Sequence, residues 1–259
     1  MKIASWNVNS LKVRLPHVLD WLDTAQPDLL GLQETKLTDE NFPVAEINEA
    51  GYQVIYSGQK TYNGVAVLAK LKKKPADIVT DIPGLADPQR RVLGATYGKI
   101  RFLNLYVPNG SEVGSDKYKY KLNWLQKLTT YIKKQLAEHD YFVVVGDFNI
   151  APEDIDVHDP KAWEGCVLVS PKERAALQKI AKLGLQDTFR LFEQEARTYS
   201  WWDYRMMAFR RNAGLRIDLI LASNKLADKC TDSYVDREPR RLERPSDHAP
   251  VVAEFDIKA

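Results

Sequence analysis

Tyr141-Phe142-Val143-Val144-Val145-Gly146-Asp147-Phe148-Asn149 is a continuous apolar run closed by a glycine and two short polar side chains. A β-branched run of this length reads as a buried strand, and Gly-Asp-Phe-Asn as the turn that ends it. The same form recurs along the chain. Lys2–Trp6 leads into Asn7, Asp28–Leu32 into Gln33-Glu34-Thr35, and Ile100–Val107 carries Tyr106 into Pro108-Asn109-Gly110. Gly64–Ala69 is small and β-branched, Arg216–Ala222 holds Asp218 within it, and Pro250–Phe255 follows Asp247-His248.

Helical patterns lie between these runs. Val18–Ala25 has helical apolar spacing after Pro16, a residue suited to a helix start. Tyr118–Leu136 places Leu122, Leu125, Leu128, Ile132 and Leu136 at three- and four-residue intervals, with lysines opposite. Ser170-Pro171-Lys172-Glu173 supplies an N-cap, a proline at the first helical position and the glutamate of a capping box; Ala176, Leu177, Ile180 and Leu183 follow, up to Gly184. Strands dominate both halves and mix irregularly with helices, which gives an α/β sandwich. No linker or repeat divides the chain, so residues 1–259 are expected to form one domain. Lys72-Lys73-Lys74 reads as a polar turn.

At 259 residues a compact chain buries roughly 70–75% of its unfolded surface and needs no staples. With 44% hydrophobic and 28% charged residues, disorder as the main state is excluded. Cys166 and Cys230 lack metal-type spacing and read as two reduced thiols. A net charge of +2 neither demands nor forbids a polyanionic partner. The N-terminus lacks a signal-type apolar stretch, and no run reaches the length of a spanning helix. The expectation is a soluble, cytoplasmic chain with no membrane partner.

The polar residues at strand ends carry the chemistry. Asp147 and Asn149 have a bland reading as an Asx turn, and Glu34 as a solvated carboxylate. Asp218, between Ile217 and Leu219, is harder to dismiss, because a buried carboxylate needs a partner. If Asp218 orients the imidazole of His248, the pair donates a positive hydrogen bond to a developing oxyanion; Asp147 then suits a water and Asn149 a water or phosphate. His17, His139 and His158 have no comparable setting. Glu34, Asp147, Asp218 and Asp247 together would repel an anionic substrate unless a cation sat among them. Oxygen donors of this kind favour Mg²⁺, with Mn²⁺ as the alternative. Phosphoester hydrolysis demands rate enhancements on the order of 10¹⁷, more than one acid, base or oxyanion donor supplies. A set of this size suits it.

At these residues the chain closely resembles the exonuclease III family of abasic-site DNA endonucleases, within the endonuclease/exonuclease/phosphatase superfamily. The motifs are Ile3–Asn9 with Trp6-Asn7, Leu32-Gln33-Glu34-Thr35-Lys36, Gly64-Val65-Ala66, Tyr106-Val107-Pro108-Asn109-Gly110, Gly146-Asp147-Phe148-Asn149, Ser200-Trp201-Trp202-Asp203-Tyr204, Leu215-Arg216-Ile217-Asp218 and Ser246-Asp247-His248-Ala249-Pro250. The resemblance implies a four-layer α/β sandwich, two central mixed β-sheets flanked by helices, with the site at one edge. It implies that Glu34 ligates the metal with Asn7 and Asp247 close by. Asp147 would position or deprotonate the water, Asn149 and Tyr106 contact the reacting phosphate, and Asn109 a neighbouring one. The Asp218–His248 pair would stabilise transition-state charge.

The implied reaction is cleavage 5′ to an abasic deoxyribose, leaving a 3′-hydroxyl, with removal of 3′ blocking groups or nucleotides besides. The implied partner is double-stranded DNA with abasic or damaged 3′ sites, and a monomer is expected. Trp201, Leu215 and Ile217 match positions that enclose a flipped-out sugar, and a pocket too small for a base rejects normal nucleotides. Trp202 is expected in the core. Arg205, with Arg210, Arg211, Arg240, Arg241 and Arg244, could hold DNA phosphates, although charge runs are more often solvated faces. Three readings compete with this one: a member acting mainly as a 3′–5′ exonuclease, a phosphatase or phosphodiesterase of another branch, and a non-catalytic DNA-binding protein.

Overall fold

The computed structural model describes residues 1–70 and 74–257. The turn read at Lys72–Lys74 lies outside the described residues except for Lys74. Twelve strands are described: β1 Lys2–Asn7, β2 Leu29–Gln33, β3 Gln53–Ser57, β4 Val65–Ala69, β5 Ala76–Val79, β6 Val92–Tyr97, β7 Ile100–Tyr106, β8 Tyr141–Asp147, β9 Leu185–Asp187, β10 Asp218–Ser223, β11 Cys230–Val235 and β12 Val251–Phe255. They make two six-stranded sheets, in the orders β11-β12-β1-β2-β4-β3 and β5-β6-β7-β8-β10-β9. Each sheet is mixed, with one parallel pair at its centre, β1–β2 and β7–β8.

The sheets pack face to face, and the alternation of side chains along each strand decides which residues meet. Ile3, Leu29, Val65 and Val67 from the first sheet and Phe102, Val143, Val145 and Ile220 from the second form the inner core. On the outer side of the first sheet, Ala4, Trp6, Leu30 and Leu32 receive Val18, Trp21 and Leu22 of the helix Leu11–Ala25. On the outer side of the second, Phe142, Val144, Leu219 and Leu221 receive Trp124, Leu125, Leu128 and Ile132 of the helix Asp116–Glu138 and Leu177 and Ile180 of the helix Pro171–Ala181. Helix, sheet, sheet, helix: the four layers are in place.

The helix read at Val18–Ala25 begins earlier, at Leu11, and holds Pro16 inside it. Its start is set from outside: Ser10 N–H donates to the Glu34 carbonyl and Leu11 N–H to that of Thr35. Pro16 cannot donate to the Lys12 carbonyl, so the helix tolerates one missing bond. The capping box at Ser170 and Glu173 forms as expected, and that helix ends three residues before Gly184, whose φ is +113°. The strands absent from the sequence reading have weak patterns: β3 is a half-buried edge with a polar residue at each end, β6 contains Gly94, β5 is an exposed edge, β9 is three residues long and β11 is half polar.

Register fixes where the chemistry falls. Asn7 aligns with Gln33 in the parallel pair β1–β2, and Tyr106 with Asp147 in β7–β8. Asp218 lies opposite Asp147 in the antiparallel pair β8–β10. The polar ends of strands from both sheets therefore share one edge of the sandwich, where α/β folds place their ligands.

Candidate active site

His248 is the hub. It is buried, and its Nδ1 lies 2.9 Å and 3.1 Å from the two carboxylate oxygens of Asp218. Its Nε2 points to Asp147 Oδ2 at 3.7 Å. Burial opposes the imidazolium, but the charges of Asp218 and Asp147 outweigh it and push the pKa up to about 10. An imidazole that is protonated and bonded through Nδ1 is a donor, not a metal ligand. Asp218 is itself held: Ser200 Oγ donates to it at 2.6 Å while accepting from the backbone N–H groups of Ile217 and Asp218.

Asp147 ends β8 and is almost fully buried. Its Oδ1 accepts from the backbone N–H of Asn149 at 2.8 Å, so the Asx turn of the bland reading does form. That turn turns Oδ2 toward the centre, where it accepts from Asn7 Nδ2 at 2.9 Å and Asn149 Nδ2 at 3.2 Å. Burial raises its pKa to about 7, with the charges of Asp218 and Glu34 adding and His248 opposing. The crowding of negative charge that the sequence implied is present.

Glu34, at φ +51° just past β2, accepts from Asn7 Nδ2 at 2.9 Å and pairs with Lys36 Nζ at 2.9 Å. Glu34, Asp147 and His248 bring ligand-type atoms within 4.8 Å of one another. With His248 a donor, the anionic oxygens of Glu34 and Asp147 remain. They fit a hard divalent cation, whose charge would offset the burial and the neighbouring carboxylates that hold Asp147 high. Asn7 lies between the two carboxylates and presents its NH₂ to both, its Oδ1 accepting from Asn9 N–H.

Asp247 is not one of those three groups. Its oxygens accept from Asn9 Nδ2 and Trp201 Nε1, at 2.9 Å and 3.0 Å. Burial opposes its charge, but His248 and these hydrogen bonds hold its carboxyl below the usual range. Trp201, half-buried, bridges Leu215 and His248 through backbone pairing. Leu215 and Ile217 are buried beneath it with Ala151, Val157, Leu168 and Val169, so an apolar wall flanks the carboxylates. Trp202 is fully buried, as expected of a core residue.

Tyr106 carries its phenol beside Glu34 and Asp147; burial first, and those two charges next, push its pKa well above the ordinary value, with Arg91 opposing. It is a neutral donor at any working pH. Asn149 donates to the Val107 carbonyl at 3.0 Å and accepts from Asn109 Nδ2 at 3.0 Å. The two asparagines thus join the ends of β7 and β8.

Arg205 is not brought to this cluster. Its side chain is 86% exposed and its guanidinium is committed to Asp203. Arg210, Arg211, Arg241 and Arg244 are exposed, but Arg240 is buried, donates to the Ser246 carbonyl at 2.6 Å and packs over Trp202 and Phe209. A buried guanidinium on aromatic faces is a packing element, so Arg240 leaves the surface set. Lys36, Ser200 and Asn9 went without roles in the sequence reading although they stand inside the motifs quoted there. Their neighbours across the fold give them their roles.

The fold and this centre suit a phosphoester-hydrolysing enzyme, with a positive donor and two carboxylates that fit a cation on one sheet edge. The chain belongs to the endonuclease/exonuclease/phosphatase family, whose model matches residues 4–248. It is 38% identical to exodeoxyribonuclease III of Haemophilus influenzae, over 98% of this chain and all of that one. The structure superposes with a TM-score of 0.96 on the 3′ phosphatase NExo from Neisseria bound to product DNA hairpin, at 46% identity, covering 99% of this chain and 100% of that one. An AP endonuclease from Archaeoglobus fulgidus matches at 0.95 and 41%, with the same coverage.

Proposed function

We propose that this chain, acting as one catalytic domain and as a monomer, is a DNA-repair endonuclease that hydrolyses the phosphodiester 5′ to an abasic deoxyribose. It leaves a 3′-hydroxyl, and it also removes 3′-terminal nucleotides and 3′-phosphates. The observation that carries this reading is His248 spanning Asp218 and Asp147 beside Glu34, at the end of an apolar wall. The homologues' names, exonuclease and 3′ phosphatase and AP endonuclease, support the same substrate class.

Glu34 would hold a divalent cation, Mg²⁺ by its oxygen donors, with Asn7 and Asp247 adjacent, and the ion would supply charge stabilisation to the phosphate oxygens. Asp147, whose Oδ2 faces the centre, accepts the proton of the attacking water. His248, kept cationic by Asp218, donates from Nε2 to the phosphate oxygen that gains charge. Tyr106 and Asn109 donate to the phosphate and its neighbour, joined by Asn149 once its NH₂ gives up the 3.2 Å bond to Asp147. Trp201, backed by the buried Leu215 and Ile217, accepts the sugar that lacks a base. Exposed arginines, Arg205 among them, steer the backbone.

The test is product mapping on duplexes bearing an abasic analogue, a recessed 3′ end and a 3′-phosphate, side by side. Incision on the 5′ side of the abasic analogue with a 3′-hydroxyl product is the expected result. Release of nucleotides from the recessed end with an intact abasic strand would favour the alternative, a member acting mainly as a 3′–5′ exonuclease.

A further inference from the structure

Behind the catalytic edge lies a buried ion pair that the mechanism leaves unused. Lys121, on the helix Asp116–Glu138, and Glu173, on the helix Pro171–Ala181, have fully enclosed side chains. The ammonium donates to Glu173 Oε1 at 2.5 Å, to the backbone carbonyl of Asn149 at 2.7 Å and to that of Asn109 at 3.1 Å. All the donors of a lysine are thereby used. Glu173 accepts in turn from the backbone N–H groups of Leu168 and Ser170, at 3.1 Å and 3.2 Å, and from the Ser170 hydroxyl. Tyr118 OH reaches the same hydroxyl at 2.6 Å.

One pair therefore fastens the loop after β7, the loop after β8 and the segment entering the second helix. The lysine stem packs close against Gly110 (φ +95°), where a Cβ would lie 3.1 Å from Lys121 Cδ. Desolvation pulls the Lys121 pKa down, and Glu173 with Asp147 pulls against it. Buried ion pairs are costly, and an apolar pair joins two helices at least as well. An apolar pair cannot hold two carbonyls. Both carbonyls here belong to asparagines at the phosphate edge, and Asn149 sits at φ +50° with its amide oxygen bonded to Asn109.

We propose that Lys121 and Glu173 form a positioning pair that fixes the backbone of Asn149, and with it Asn109, so that their amides meet the phosphate in a single orientation. This rests on the reading of those asparagines as phosphate contacts.

The experiment is steady-state kinetics on the abasic-analogue duplex with the full chain, its Lys121→Met, Glu173→Gln and Asn149→Ala variants, and the Lys121→Met/Asn149→Ala double variant, each first checked for native circular dichroism. Lys121→Met is expected to lower kcat about ten- to a hundredfold with KM changed less than about threefold. Glu173→Gln, nearly isosteric, is expected to lower kcat in the same direction and stands in if the methionine variant fails to fold. In the Asn149→Ala background the cost of Lys121→Met should shrink by at least about threefold, because the group it positions is gone. Wild-type kcat in folded Lys121→Met or Glu173→Gln, or an undiminished cost of Lys121→Met in the double variant, would overturn the proposal. Wild-type protein that leaves the duplex uncut would instead refute the functional reading, and the positioning role with it.

Discussion

Asp218 stands directly opposite Asp147 across the antiparallel pair β8–β10, and the ring of His248 spans them, 2.9 Å from the first carboxylate and 3.7 Å from the second. One carboxylate fixes the imidazolium, and the other shares its field while facing the reaction centre. Two like charges at adjacent strand positions are ordinarily unfavourable. A cation between them turns the arrangement into a relay of alternating sign.

Asp218→Asn breaks that alternation. The amide still fills the site, but it no longer favours the cationic, correctly turned imidazole. Turnover on an abasic-analogue duplex should fall by about 10²- to 10⁴-fold with KM little changed, on the scale of misoriented catalytic imidazoles. A rate within about threefold of wild type would reduce Asp218 to a structural residue.

The same pair sets a pH signature in protein kept metal-free with EDTA. The folded pKa of His248, about 10, lies above its unfolded value. Its stabilising contribution is therefore fully present below about pH 6.5 and is lost as pH rises through the folded value. Nuclear magnetic resonance of the imidazole protons should show His248 fully protonated at pH 8, while Asp218→Asn brings its titration downward. Titration of wild-type His248 near pH 6.5 would contradict the geometry.

Trp201→Ala removes half-buried aromatic surface beside Leu215 and frees Asp247 from the indole N–H. Discrimination between abasic and intact duplex should drop about ten- to a hundredfold, the range expected when shape alone selects. Trp201→Phe, which keeps the ring and loses the donor, should retain most of the discrimination. Equal loss in both variants would shift the role from shape to the Asp247 hydrogen bond.

The strand-end residues were legible because each closes an apolar run: Asn7, Tyr106 and Asp147 sit at the ends of β1, β7 and β8. That Asp218 faces Asp147, and that Asn7 reaches both Glu34 and Asp147, depends on strand register and sheet order, which follow from packing between segments up to 140 residues apart. The partners of single polar side chains were not legible for the same reason. Arg205 turned to Asp203 beside it, Arg240 stacked into the aromatic cluster, and Pro16 was enclosed by a helix whose start is fixed from the Glu34 loop.

Affinity for duplex DNA should weaken as salt rises, because Arg210, Arg211, Arg241 and Arg244 are exposed and release counterions when they meet phosphates. Binding of the Asp147→Ala variant, measured by fluorescence anisotropy between about 50 and 200 mM salt, should weaken at least tenfold. A flat profile would remove the arginines from the interface.

The central claim is that Glu34, beside Asp147, holds a divalent cation on which hydrolysis depends. Single-turnover cleavage of an abasic-analogue duplex, with Mg²⁺ and then with excess EDTA, tests it most directly. The account predicts rapid incision with Mg²⁺, none in EDTA, and recovery when Mg²⁺ is restored. Cleavage at an unchanged rate in EDTA would contradict it.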